Sequence, residues 1–573
     1  MYQKLLYALI ALLLLPALFL NLGVMIFIDD EGIRALVAQE MIWSGDYLVP
    51  TLHGDVYLNK PPLWNWIQAA SIWLWGGSSE WATRFPTVLA LLGFAATAFV
   101  FSKPVLGKKM AFIHAFTIIT CGRMLFWDSM LGLIDVTFSW VVYTQFMLLW
   151  HFWRKDQLWS AFGFTYLLCA IGFMLKGLPA IAFTGITLIA LVVWQRRFWS
   201  LFSPAHILSG LGCLALLALY YVPLGQELDL SVIGKRLFVE SGKRTAVNHP
   251  WQETLGHLLA FPFEMIYHFL PWTLLIVFFV RRNFMAQLSS KPTVQFWLLV
   301  FLVNLPLYWL SPNVYPRYLL MLFPLLFGAG LYFYRESAGG HASIYRWFHA
   351  IISGLMLLFT IAFFLAPLHP DTAIIAYRWP LAIGCGVLGL LITWLGSKVK
   401  NSFGCQTRPA RRQVGRGSRV GVWRQPLLAF VAFMLLFRLV FNLFVLPPRA
   451  AGDDRGQRLK ADAIKIGNQF KESGEDLAVL GYTLMEPATS YYLEMAYGGI
   501  VPRIFDSPDE EMAYIYNPWQ YRNAKEAGQW LNGIYMRHQK IVYPVRRIAP
   551  PIPSTEYTKT ELKDGMGSGV SRR

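Results

Sequence analysis

Apolar residues run through this chain in long unbroken blocks separated by short polar gaps. Blocks near the length that crosses a hydrocarbon core as helix, about 18 to 25 residues, recur from Leu5 to Ile28, Phe85 to Phe101, Met110 to Phe126, Asp135 to Trp153, Trp159 to Leu175, Leu178 to Trp194 and Ile207 to Pro223. They continue at Phe269 to Val280, Val294 to Leu310, Leu319 to Tyr334, Phe348 to Pro367, Trp379 to Leu395 and Leu427 to Leu446. The pattern predicts a polytopic α-helical membrane protein with about thirteen transmembrane helices, filling residues 1–446. The first block is too long for the core of a signal peptide and lacks a small-residue cleavage site after it, so it reads as an uncleaved anchor.

Two gaps are long. In the first outer loop, 29–84, Ile33, Leu36, Val37 and Met41 recur at helical spacing and predict a short amphipathic helix from Glu31 to Trp43. Gly45-Asp46 ends it, Tyr47 to Asn59 reads as extended, and the Trp-rich run Leu63 to Trp75 suits a helix at the membrane interface. The second large outer loop, 225–268, mixes charges with Phe238, Trp251 and Leu255 in the same style. From Pro447 the spanning blocks stop. Helical stretches (Asp454 to Glu472, Glu486 to Tyr497, Asn523 to Gly533) alternate with strand-like runs (Leu477 to Leu480, Ile500 to Ile504, Lys540 to Val545), predicting a small soluble α/β domain over 447–573 with a flexible end from about 549.

Composition agrees: 56% hydrophobic residues, 14% charged and a mean hydropathy of +0.44 are incompatible with one water-soluble core. The net charge of +17 would suit nucleic acid, but its excess sits in alternate short gaps, most densely from Lys398 to Arg424, where no acidic residue occurs. That is the positive-inside signature. It places the amino terminus in the cytoplasm and the first outer loop and carboxy-terminal domain outside. The five cysteines form no disulfide or metal pattern. No phosphate-cradling glycine loop, nucleophile elbow or HExxH is present, which removes support for ATP-driven or hydrolytic chemistry.

Ionisable groups beside spans are costly and point to function. Asp30 and Glu31 close the first block, and Lys60 precedes Pro61-Pro62. Asp135 stands at the outer start of a span, where it also suits a helix N-cap, and Lys176 at an outer end, where it also suits a snorkelling lysine or a dipole partner. Arg317 lies on the side that the positive-inside rule disfavours, which favours an anion contact. Carboxylates and lysines at one membrane boundary suit the charged head of a lipid.

In order along the chain stand Asp30-Glu31, QEM (Gln39 to Met41), GDYLVP (Gly45 to Pro50), YLNKPPL (Tyr57 to Leu63), RFP (Arg84 to Pro86), LID ending at Asp135 and MLKGLPA around Lys176. FVE followed by Arg244, then His249-Pro250 and YPRYLLMLFP (Tyr315 to Pro324), complete the set. Together they resemble the polyprenyl-phosphate-dependent glycosyltransferases of the GT-C superfamily, in particular the bacterial aminoarabinose transferases that modify lipid A and the protein mannosyltransferases. The resemblance implies that a sugar on undecaprenyl phosphate passes to a lipid, glycan or protein acceptor at the outer face of the bacterial inner membrane. It implies Asp30 as general base near the acceptor and Lys60, with Arg244 and Arg317, as ligands of the donor phosphate; to these we add Glu31 and Asp135 as catalytic carboxylates and Lys176 as a phosphate ligand, from their places at span boundaries. It also carries a divalent metal, held by a Glu before the KP lysine and by the histidine matching His249. Here Asn59 replaces that Glu, and asparagine is a much poorer zinc ligand than a carboxylate. The arginine expected three residues after the first-loop Asp is Ile33, with Arg34 adjacent. The rival reading, a polyprenyl-lipid transporter or flippase, accounts for the spans but predicts inverted repeats that the sequence lacks.

Overall fold

The computed structural model describes residues 1–242, 251–280, 283–312, 314–337, 342–398, 400–401, 423–424, 426–505, 512–521 and 528–548. The chain divides into two compact units, one formed by Met1–Met25 with Leu58–Gly452 and the other by Ile26–Tyr57 with Asp453–Arg573.

The first unit is helical. Among the described residues eight of its helices are long and apolar enough to cross a membrane, nine if the bent pair Thr254–His268 and Trp272–Phe279 is one span. Fewer helices than the sequence blocks pass that test for identifiable reasons. Two predicted spans fuse into the 40-residue element Glu80–Ile119, broken at Gly107, whose φ of 76° suits glycine. Leu178–Trp194 and Phe323–Ser337 are shorter, with 17 and 15 residues. Aromatic layers fill the interior: Trp150 stacks on both Trp194 and Phe296 at ring separations of 5.5 and 4.7 Å.

The first helix, Tyr2–Phe19, stops well before Ile28. A helix end leaves carbonyls without intrahelical donors, and within a membrane these need protein partners. Buried polar side chains supply them. Ala17 O accepts from Arg438 Nε at 3.2 Å and from Asn442 Nδ2 at 2.9 Å. Asn21, in left-handed conformation at φ 58°, donates to Asn442 O at 2.8 Å. Arg84 Nη1 donates to Leu22 O and Met25 O at 2.9 and 3.0 Å. The chain therefore leaves its first span through a turn fixed by two buried arginines.

The second unit is a five-stranded sheet with helices. Arg503–Ile504, Leu477–Leu480, Ala513–Ile515, Ile541–Ile548 and Gly528–Met536 lie in that spatial order. The first three are parallel, and the last two join antiparallel. Helices Asp454–Ser473 and Pro487–Tyr497 accompany it. The amphipathic helix from the first outer loop forms as predicted, over Glu31–Ser44, and places Ala35 and Leu36 in the same core as Leu459, Ile466 and Phe470. One sequence expectation is overturned. Residues 528–533, predicted helical within Asn523 to Gly533, are strand, because Ile534 and Met536 pair with Tyr543 and Ile541 in a hairpin whose interior is buried.

A second hairpin, Thr51–Leu52 with Asp55–Val56, turns through His53 and Gly54 at φ 57° and 72°, the twist that suits a two-residue hairpin loop. Buried Glu40 holds it. Its carboxylate accepts from His53 N at 2.7 Å, Thr51 Oγ1 at 2.7 Å and Gly54 N at 3.2 Å. The His53 ring lies 2.8 Å from Ser490 Oγ through Nε2 and 2.8 Å from Glu494 Oε1 through Nδ1. Arg503 Nε reaches Asp55 at 3.2 Å. Burial dominates the protonation of this cluster: it pushes Glu40 up to about 7, with Glu494 adding to the rise, and His53 down to about 4, with Arg503 adding to the fall. Burial also holds Glu494 well above the carboxylate range.

Candidate active site

Within the first unit, three of the predicted charges converge. Asp135 is the first residue of helix Asp135–Trp153 rather than its cap, Lys176 is the last of Leu158–Lys176, and Arg317 sits in the tight turn Pro316–Leu319. Gly177, at φ 81°, reverses the chain directly behind Lys176. Lys176 Nζ donates to Asp135 Oδ1 at 2.5 Å, and Arg317 Nε lies 3.4 Å from Asp135 Oδ2. All three are buried. Rings complete the wall: Lys176 Nζ stands 4.1 Å from the Tyr318 centroid, and the Arg317 guanidinium 4.5 Å from that of Tyr315. Such rings stabilise a cation without neutralising it.

A second pair, absent from the sequence reading, joins this group. Arg123 forks onto Asp128 with Nε to Oδ2 at 3.0 Å and Nη2 to Oδ1 at 2.7 Å. Asp128 is buried and feels the charges of both Arg317 and Asp135. Lys176, Arg317 and Arg123 thus gather around the carboxylates of Asp135 and Asp128. The arrangement is chemically suited to an anion.

The first-loop helix Leu63–Leu74 braces the backbone just ahead of Asp135. Trp64 Nε1 and Gln68 Nε2 both donate to Gly132 O, at 3.1 and 2.9 Å. Lys60 and Asn59 lie half-buried in the bend before that helix. Asp30 and Glu31 belong to the second unit. Glu31 is buried and turned inward, its carboxylate accepting from Ile28 N at 2.9 Å. Asp30 is exposed at the N-cap of Glu31–Ser44, where its side chain makes no capping bond. Of the acidic pair, Asp30 is the exposed one. Arg244 and His249 lie outside the described residues. Asn59 offers a neutral amide where a metal ligand was expected, and among the described residues no three His, Cys, Asp or Glu side chains are grouped to hold an ion. The Asn59 amide is a poorer ligand for a divalent metal than the carboxylate the resemblance implies at that position.

Comparison with known proteins follows the same line. A family profile described as dolichyl-phosphate-mannose-protein mannosyltransferase matches residues 59–221. An undecaprenyl phosphate-alpha-4-amino-4-deoxy-L-arabinose arabinosyl transferase of Edwardsiella ictaluri is 30% identical over 198 residues, which is 33% of this chain and 35% of that protein. The same-named protein of Shewanella sediminis is 28% identical over 176 residues, 29% of this chain and 31% of that protein. These matches span about a third of the length of the curated relatives. In three dimensions the likeness covers almost everything. ArnT from Cupriavidus metallidurans bound to undecaprenyl phosphate superposes with a TM-score of 0.60 at 15% identity, over 95% of this chain and 98% of that one. Its apo state gives 0.63 at 14% identity, over 95% and 99%. The fold is therefore that of ArnT, and the chain resembles polyprenyl-phosphate glycosyltransferases of the GT-C type.

Proposed function

We propose that this chain is a multi-pass glycosyltransferase of the bacterial inner membrane. It moves a sugar from undecaprenyl phosphate to a lipid, glycan or protein acceptor on the outer face. The observation that carries the reading is the buried group in which Lys176 and Arg317 both meet Asp135, in a fold shared with ArnT. Thirteen spans, with the amino terminus cytoplasmic and the second unit outside, complete the proposed topology.

In the reaction the acceptor hydroxyl attacks the anomeric carbon while the bond from that carbon to the phosphate oxygen breaks. Asp30 takes the hydroxyl proton as general base. The polyprenyl phosphate leaves with the bonding electrons, and Lys60, Lys176 and Arg317, with Arg244 in support, stabilise the charge it gathers. Asp135 aims Lys176 and Arg317. Glu31 fixes the helix start that presents Asp30. No step runs through a metal.

Aminoarabinose, the sugar for which the matched relatives are named, is the first donor to test, with hexoses next. Purified protein in lipid vesicles is given labelled undecaprenyl-phosphate sugars and a membrane extract. Label recovered on an acceptor supports the reading. Protein-dependent passage of the labelled lipid across the bilayer without any new product would replace it by the flippase reading.

A further inference from the structure

The three parallel strands of the second unit, Arg503–Ile504, Leu477–Leu480 and Ala513–Ile515, finish on one edge of the sheet. Leu477–Leu480 lies between the other two, so the chain leaves it toward one neighbour and later enters the sheet on its opposite side. In open α/β sheets that reversal opens a crevice at the carboxyl ends of the strands, the usual place for a ligand. The segments that follow the strands there are unusually aromatic. Phe505 and Trp519 are 53% and 64% exposed, and Tyr482 meets Phe505 edge-on at 5.1 Å.

These rings are anchored by backbone bonds. Tyr521 Oη accepts from Tyr482 N at 3.1 Å. Arg503 Nη1 donates to Gly481 O and Thr483 O at 2.6 and 2.8 Å. Asn517 N donates to Thr483 Oγ1 at 3.2 Å, and Asn517 Oδ1 accepts from Trp519 N at 3.0 Å. Gly481, at φ 51°, is required, since a Cβ there would meet Tyr521 Oη at 2.0 Å. Two amide residues stand on the same segment: Asn517 is partly exposed, and the buried Gln520 Oε1 has no hydrogen-bond partner among the described residues.

We propose that this edge, carrying Tyr482, Phe505, Asn517, Trp519, Gln520 and Tyr521, binds a saccharide, the sugar portion of the acceptor. A pyranose has an apolar C–H face and a rim of hydroxyls, and it needs an aromatic plane held still with amides and hydroxyls at its border. A surface made for lipid would be continuously apolar, whereas here exposed Phe505 meets the ring of Tyr482 and exposed Trp519 is bonded through its N–H to Asn517. The assignment to an acceptor rests on the transferase reading above; saccharide binding itself does not.

The test uses full-length protein in nanodiscs and two fluorescent probes, a β-1,6-linked glucosamine disaccharide and maltotriose, with no donor present. Saturable binding of at least one probe is expected, about tenfold weaker in Trp519→Ala or Phe505→Ala, the scale of one lost aromatic contact, and retained in Trp519→Phe. Variants are compared only where their melting matches the wild type. Absence of binding to either probe, or equal binding by the alanine variants, overturns the proposal. So does quenching by brominated lipid that is lost in Trp519→Phe, which would assign the ring to the bilayer. In the transfer assay Trp519→Ala should raise the acceptor KM several-fold at unchanged kcat; an unchanged KM would remove the acceptor role while leaving the transferase reading intact.

Discussion

Lys176 and Asp135 allow the structural and chemical roles of the charged group to be separated. Lys176→Met leaves Asp135 its contact with Arg317 at 3.4 Å, weaker than the 2.5 Å bond it loses. Breaking one side of a buried pair costs about 3 to 5 kcal/mol, so this variant should be both inactive and destabilised, which by itself decides nothing. The informative variant is Asp135→Asn combined with Lys176→Met. It removes one charge of each sign, keeps the volumes and leaves no orphaned carboxylate, and such neutral replacements of buried pairs are often tolerated. Folding should return to within about 1 kcal/mol of wild type. Transfer should not return. A truncated partner in a buried charge pair costs about 2 to 5 kcal/mol of binding, or about 30-fold to several thousand-fold in kcat/KM for the donor. The assay is transfer of labelled sugar from undecaprenyl phosphate in vesicles, alongside thermal unfolding. A double variant that regains wild-type transfer would show the pair to be a structural staple and refute its contact with phosphate.

Two further outcomes follow from other buried groups. Glu494 has a raised carboxyl pKa, so its contribution to stability is complete below the ordinary value of 4.5 and is lost as pH rises through the raised one. His53, pushed down to about 4, acts in the opposite direction, its contribution being lost as pH falls from 6.5 toward 4. Hydrogen exchange over residues 51–56, corrected for intrinsic rates, should therefore lose protection on the alkaline side in wild type, and Glu494→Gln should flatten that limb; an unaltered limb would contradict the assignment. At the end of the first helix, Arg438→Met alone should change the melting temperature little, because Asn442 still donates to Ala17 O and a buried cation is removed. Adding Asn442→Leu strips both donors and should cost about 1 to 3 kcal/mol; an additive, negligible effect would show that water or another group satisfies the carbonyl.

Much of this was legible in the sequence because membrane proteins make charge conspicuous. Asp135, Lys176 and Arg317 stood out as ionisable residues at the ends of apolar blocks, and the structure brings all three together. The helix Glu31–Ser44 was visible in its 3.6-residue spacing. Arg123 and Asp128 were missed because the block Met110 to Phe126 was read as one span, although the helix ends at Ile119 and a short second helix, Gly122–Phe126, begins there. An arginine inside a supposed span was the available signal. Glu40 and His53 gave none: the partners of the His53 ring, Glu494 and Ser490, lie more than four hundred positions away, and the buried carboxylate of Glu40 looks locally like a solvated one. The helix predicted from Asn523 failed for a related reason, since the strand at 528–536 is dictated by its pairing with Ile541–Ile548 and not by its own composition.

The central claim, sugar transfer from a polyprenyl phosphate with Asp30 as base, is tested most directly by single-turnover transfer in Asp30→Asn beside wild type, with donor binding measured on the same samples. Asn keeps the shape of the side chain and cannot accept the proton, so transfer should fall by about 10²- to 10⁴-fold while donor binding and melting stay unchanged. Transfer at the wild-type rate in Asp30→Asn, with the donor still bound, would contradict the assignment of the base and with it the mechanism proposed for this chain.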